Sequence, residues 1–253
     1  MLNKEVAQDL VKTLKIDIFT VYREYLQLLF LKYFYNQKGS EKVYFKGGTA
    51  LRFLYGSFRF SEDLDFTAEL LEKQIKVLIN KTLKDLNKEM TRVILKKIET
   101  NRISFSSRIV TEIPEFKFPL SVRLDFSLRE RPILPTSSYV ETIFPVSPYP
   151  QVCYLRIDEI LSEKIRAILT RNRGRDIFDL WFILSKKVSI DWDLVNKKMV
   201  WYKKGVDLEK LICVMENFPE EEIKTDLTRF LPITHKGLVG KLKGLTLEKL
   251  KQI

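Results

Sequence analysis

The sequence is poor in the residues that build several common kinds of functional site. It holds two cysteines, Cys153 and Cys213, and one histidine, His235, among 253 residues. The cysteines lie far apart in apolar surroundings, which excludes a disulfide scaffold or a Cys/His zinc site and fits a reducing, cytoplasmic setting. Long hydrophobic runs are missing too. The greasiest stretch, Tyr25–Tyr35, is broken by Lys32, and the amino terminus, MLNKEVAQDL, has no basic region followed by an apolar core. The expectation is a soluble protein with no membrane partner. Glycine is sparse, at nine residues, so the adjacent pair Gly47-Gly48 stands out.

A 45% hydrophobic fraction with 12% aromatics supplies packed cores for one large domain or two modest ones. The 44 Lys and Arg exceed the 33 Asp and Glu by a formal charge of +11. Such an excess favours polyanionic partners such as nucleic acid, nucleotides or an acidic protein, although lysines serving only solubility are the plainer reading of charge taken alone.

Apolar residues at helical spacing predict a helical segment from about Ala7 to Tyr35, broken near Ile16–Phe19. Turn residues at Asn36–Ser40 precede a short strand, Val43–Lys46, which stops at the glycine pair. Thr49–Tyr55 reads as a brief helix, Gly56–Arg59 as a turn and Asp63–Thr67 as a second strand. A helix over Leu70–Leu86 and strands at Arg92–Ile98, Ile103–Val110 and Val122–Arg129 complete the pattern of an α/β half. Residues 131–150 hold Pro132, Pro135, Pro145, Pro148 and Pro150 and read as a loop or linker. Beyond them five helices are expected, at Asp158–Thr170, Arg175–Ser185, Trp192–Trp201, Leu208–Glu216 and Glu220–Phe230. The domain division expected is therefore 1–150 and 151–253, a small mixed sheet flanked by helices followed by a C-terminal helical domain.

Residues two apart on a strand face the same side, so Asp63 and Asp65 project together while Leu64 and Phe66 turn into the core. A carboxylate pair of this kind repels itself unless it is solvated, offset by a base or shared by a hard divalent cation such as Mg²⁺ or Mn²⁺. By itself it is more often a solvated strand edge. The preceding Gly47-Gly48-Thr49 raises the stakes: at a strand-to-helix turn, absent side chains let backbone N–H groups approach phosphate oxygens. It is not a P-loop, because no G-K-[ST] follows. Asp125, on the open face of the alternating strand Val122–Ser127, is the natural third carboxylate for two-metal phosphoryl transfer. Phe30, Tyr33, Phe34 and Trp181 fall at helical spacing and read as core.

The segment from Lys46 to Phe66, KGGTALRFLYGSFRFSEDLDF, resembles the opening motif of the nucleotidyltransferase superfamily in the form typical of the AbiEii/AbiGii toxin family. In that family a helix with a Lys and an Ala, an Arg and an R-D-x-x-D segment follow the sheet. Here Lys164, Ala167 and Arg171 precede Arg175-Asp176-Ile177-Phe178-Asp179. The motifs match in order over about residues 43–184, with residues 49–62 as a long spacer between Gly48 and Asp63; residues 1–42 and 185–253 carry no such signature. Lys164 and Arg171 share a helix face in a stretch of five basic residues ending at Arg175, an anion-binding surface or a structural ion-pair network with Asp176 and Asp179.

The resemblance implies a nucleotidyltransferase fold and transfer of NMP from an NTP to an acceptor hydroxyl, with Asp63, Asp65 and Asp125 holding Mg²⁺ or Mn²⁺. It implies Gly47, Gly48, Thr49, Arg59 and Ser61 around the nucleotide, with Lys164 and Asp176 contributing to binding or catalysis beside Arg171 and Asp179. Arg59 and Ser61 match an R-x-S element that either positions a phosphate or shapes the turn. An RNA terminus, tRNA foremost, is the leading acceptor and a protein hydroxyl the second; a toxin would have a cognate antitoxin. The rivals are a non-catalytic nucleic-acid- or partner-binding protein on the same fold, and a metal-dependent nuclease, which gives no reason for the glycine turn.

Overall fold

The computed structural model describes residues 2–90, 92–171, 173–202 and 205–253. The chain divides into two compact units, Met1–Leu155 and Arg156–Ile253.

In the first unit, α1 (Lys4–Leu14) and α2 (Ile18–Tyr35) part where Lys15 takes a left-handed conformation, φ 55°, and Asp17 caps α2 by accepting from the Thr20 amide. The chain then runs β1 (Val43–Lys46), α3 (Gly47–Tyr55), β2 (Asp63–Ala68), α4 (Glu72–Leu86), β3 (Ile94–Asn101), β4 (Ser104–Thr111), β5 (Leu120–Ser127), β6 (Pro135–Tyr139) and β7 (Gln151–Leu155). These strands form one seven-stranded sheet in the order β3-β4-β5-β2-β1-β7-β6. It is mixed: β2 lies parallel to β5 and β1 to β7, and the other pairings are antiparallel. Helix α2 packs on β5, β7 and α4.

Two expectations need correction. The proline-rich stretch is not all loop, because Pro135–Tyr139 pairs with Gln151–Leu155 at the sheet edge. An edge strand needs no donor on its outer side, and proline is tolerated at a strand's first residue, so composition hid the pairing. Strand β7, assigned above to the helical half, belongs to the first unit, and the units part after Leu155.

Phenylalanines fix the register that matters for the site. Phe66 of β2 and Phe126 of β5 stack with centroids 4.7 Å apart, flanked by Phe45, Phe34 and Phe105. All five are buried. A one-residue slip would turn these rings to solvent and the intervening aspartates into the core, so ring packing holds the carboxylates where they are.

The second unit is helical: α5 (Ile157–Thr170), α6 (Gly174–Ser185), α7 (Trp192–Met199), α8 (Leu208–Glu216), α9 (Glu220–Leu227) and α10 (Leu242–Leu250), with 3-10 turns at Val200–Tyr202, Thr228–Phe230 and Ile233–Lys241. Helix α6 packs on α5, α9 and α10. Its approach to α9 requires Gly174, where a Cβ would lie 2.5 Å from the Ile223 Cα. The elements after Phe230 have no counterpart in the sequence reading. Among the described residues no helix is long and apolar enough to cross a membrane.

Candidate nucleotide site

The parallel pairing of β2 with β5 sets Asp65 directly opposite Asp125, and Asp63 opposite Arg123. Leu64, Phe66, Leu124 and Phe126 fill the core on the reverse face. The three candidate carboxylates thus share one face of two neighbouring strands, as the alternation predicts. Opposed positions on adjacent strands are about 5 Å apart between Cβ atoms.

Beside them the chain turns from β1 into α3. Gly47 has φ +78°, and a Cβ there would sit 2.3 Å from the Asp65 Oδ2. This position therefore demands glycine twice, for the left-handed backbone and for the approach of Asp65. At Gly48 a Cβ would lie 2.0 Å from the Arg59 Nη2. The first amides of α3 open the helix without a side-chain cap at Lys46, leaving N–H groups and the positive end of the helix dipole beside the carboxylates.

Two residues assigned to the nucleotide by resemblance have side-chain contacts within the fold. Arg59 is 2% exposed, donates from Nη1 to the Phe60 carbonyl at 2.9 Å and lies against Gly48, so it shapes the turn from behind. The buried Thr49 hydroxyl donates to the Asp63 carbonyl, tying α3 to the start of β2 and leaving its backbone amide as what it offers a ligand. Ser61 is held through its carbonyl, which accepts from Gln27 Nε2 at 3.0 Å. The Arg52 guanidinium pairs with Glu24 of α2 and lies 3.6 Å from the Phe60 ring centroid, anchoring α3.

Asp125 has a partner that the sequence reading missed. Arg123, two residues earlier on the same face, reaches it with Nε at 2.8 Å from Oδ2 and Nη2 at 3.1 Å from Oδ1. Burial, then the charge of Asp65, push the Asp125 carboxyl above its ordinary range, while Arg123 and Arg108 pull it back. The strand alternation put Arg123 beside Asp125, but only the side-chain geometry shows their engagement. Two more neighbours were overlooked: Lys46 opposes Asp65 and Ser106 opposes Asp125.

In the second unit α5 and α6 bring the other motif together. Lys164 Nζ lies 2.9 Å from Asp176 Oδ1 and 2.7 Å from Asp179 Oδ2, and Arg171 grips Asp176 with Nε at 2.9 Å and Nη2 at 3.2 Å. Burial alone would raise the Asp176 carboxyl, but Lys164 and Arg171 outweigh it by charge and hydrogen bonds and hold it well below the carboxylate range. The basic stretch is tied into ion pairs along much of its length. Arg175 pairs with Asp226 at 3.2 Å and Arg166 with Glu163 at 3.8 Å, while Arg171, with its side chain 59% exposed, pairs with Asp176 and still reaches solvent.

With both motifs located, the comparison with known families decides the lineage. Residues 29–234 match the family described as nucleotidyl transferase AbiEii toxin, type IV TA system. The chain belongs to this family. None of the curated proteins matches it in sequence. Among solved structures, MenT4, a nucleotidyltransferase toxin from Mycobacterium tuberculosis, aligns with a TM-score of 0.62 at 17% identity, over 100% of this chain and 91% of that one. JHP933 from Helicobacter pylori aligns with a TM-score of 0.56 at 21% identity, over 94% and 95% of the two chains. At such identities these likenesses show the fold.

As an AbiEii-family member the chain is a toxin nucleotidyltransferase that uses a nucleoside triphosphate and has an antitoxin as its counterpart. The family usually employs a divalent metal. Among the described residues no three carboxylate, histidine or cysteine side chains are grouped to hold an ion, and both Asp125 oxygens face Arg123. The donors nevertheless suit one. Asp65 and Asp125 are hard oxygen donors on opposed positions, and the upward push of Asp65 on Asp125 is a repulsion that a shared cation relieves.

Proposed function

We propose that this chain transfers a nucleotidyl group from an NTP to a hydroxyl of RNA, tRNA foremost, in a reaction that depends on Mg²⁺ or Mn²⁺. The observation that carries the reading is the alignment of Asp65 with Asp125 across parallel strands, with the left-handed Gly47 turn against Asp65. In this reading the α3 amides of Gly48 and Thr49 donate to the triphosphate, and Gly47 lets the phosphates approach Asp65. Asp63, Asp65 and Asp125 would hold the divalent ions, which would supply charge neutralisation of the triphosphate and acidify the acceptor hydroxyl.

The hydroxyl oxygen forms a bond to the α-phosphorus while the bond from that phosphorus to the β-phosphate oxygen breaks. Pyrophosphate departs with the electron pair, and the hydroxyl proton passes to solvent. Lys164, Arg171, Asp176 and Asp179 enter the proposal through the family motif alone, as contributors to binding or catalysis. Arg59 serves as a positioning residue behind Gly48, and Ser61 stays within it only as part of the R-x-S element.

The test is incubation of the full chain with each labelled NTP, Mg²⁺ or Mn²⁺, and total RNA. Label should enter RNA with wild type and fall at least 100-fold with Asp65→Asn, as is typical when a group that stabilises the transition state is removed. Labelled protein with unlabelled RNA would reassign the acceptor; RNA shortening would make the chain a nuclease.

A further inference from the structure

We propose that the face of β3, β4 and β5 beside the carboxylates is the track for the acceptor polynucleotide, with Lys96, Arg108 and Arg123 holding phosphodiester groups next to the attacking hydroxyl. This deepens the proposed function and rests on it for the acceptor being RNA.

The register places these cations in one line across the sheet. Lys96 opposes Arg108, Arg108 opposes Arg123, and Arg123 opposes Asp63. Directly opposed side chains share a face, and like charges so placed repel. A bulge between Lys96 and Glu99 helps to set the line. It adds a residue to β3, so that Lys96 and Glu99 both face the carboxylate side, opposite Arg108 and Ser106. Arg123 is ion-paired with Asp125 and also feels the charges of Asp63 and Glu99, and Arg108 acts on Asp125 at longer range, while among the described residues no ion pair is seen for Arg108 or Lys96. The outer two cations of the line, on β4 and β3, remain available to phosphodiester groups that arrive beside the acidic centre.

Strand order gives the line its role. The glycine turn follows β1, on one side of β2, and the cationic line occupies β5, β4 and β3 on the other. The carboxylates of β2 and β5 lie between. In-line displacement puts the leaving pyrophosphate and the entering oxygen on opposite sides of the α-phosphorus. With the triphosphate at the Gly47 side, the acceptor must arrive from the β5 side, over Arg123. From there the line extends two strand spacings, about 10 Å, to Lys96. That length suits successive phosphates of a polynucleotide and is wasted on a serine or tyrosine hydroxyl of a protein.

The experiment uses the full chain as wild type, Arg108→Ala, Lys96→Ala/Arg108→Ala and Arg108→Lys. Dissociation constants for fluorescently labelled bulk tRNA are read over a range of salt, and for NTP by equilibrium dialysis. The double variant should bind tRNA at least about tenfold more weakly, the loss expected when hydrogen bonds to charged phosphates are removed. Its slope of log affinity against log salt should shrink by about one to two, with NTP binding unchanged and Arg108→Lys retaining most of the affinity. Equal tRNA binding and equal salt slope in the double variant overturn the track, as does equal loss of NTP binding, which would mark a collapsed site. Because binding is read without turnover, failure of wild type to extend RNA would count against the proposed function alone.

Discussion

Replacing Gly47 and Gly56 by alanine separates backbone strain from the approach of Asp65. Both glycines have positive φ, +78° and +72°, so both variants incur the left-handed penalty of about 1–2 kcal/mol. The unfolded chain loses the same freedom in each, so this contribution cancels in the comparison. What differs is space. At Gly56 a Cβ meets nothing within 4 Å, whereas at Gly47 it would lie 2.3 Å from the Asp65 Oδ2 and 2.9 Å from both its Cβ and Cγ. A clash with Cβ as well as the carboxylate is not relieved by swinging the end of the side chain, so Asp65 must change rotamer or β2 must shift. Gly56→Ala should lower the melting temperature by about 2–6 °C and leave NTP affinity within twofold. Gly47→Ala should lose about 10–100-fold in Mg²⁺-dependent NTP affinity, the scale seen when a metal ligand's orientation is disturbed. Differential scanning fluorimetry and equilibrium dialysis read both quantities. Equal NTP affinities in the two variants would refute the assignment of the glycine turn to the phosphates.

Arg59→Ala should weaken NTP binding by loosening Gly48 while destabilising the fold, because the buried Phe60 carbonyl loses its donor; Arg59→Lys should restore only part of the binding, since a lysine lacks the planar fork. Thermal melts and dialysis on the same samples check this. Asp176→Asn should cost on the order of 3 kcal/mol in the second unit, measured by urea unfolding. The folded Asp176 carboxyl is depressed, so its contribution is complete above the unfolded carboxylate range, near pH 4, and is lost as pH falls toward the depressed value. Wild type should therefore lose stability below about pH 4 more steeply than Asp176→Asn, and parallel curves would contradict the ion-pair assignment.

The carboxylate face was legible in the sequence because period-two alternation carries direct geometric meaning: Asp63, Asp65 and Asp125 could face nowhere else once Leu64, Phe66, Leu124 and Phe126 were buried. What alternation does not carry is which strands are neighbours. The line from Lys96 to Asp63 emerges only from the strand order β3-β4-β5-β2, and the engagement of Arg123 with Asp125 within one strand only from their side-chain geometry. Strand β6 escaped because Pro135–Tyr139 is largely exposed and held by backbone pairing, so its side chains show no apolar period. Arg59 was ambiguous for a related reason. An arginine in a turn usually reaches solvent, and only the missing Cβ of Gly48 makes room for its guanidinium beneath the turn.

The central claim is that aligned carboxylates beside a glycine turn add nucleotides to RNA. The intact mass of tRNA after incubation with the full chain, Mg²⁺ and one NTP at a time tests it most directly. The mass should increase by whole nucleotide residues for at least one NTP, and not with Asp65→Asn or with chelator. Unchanged tRNA mass with every NTP, from wild-type protein that binds NTP, would contradict it.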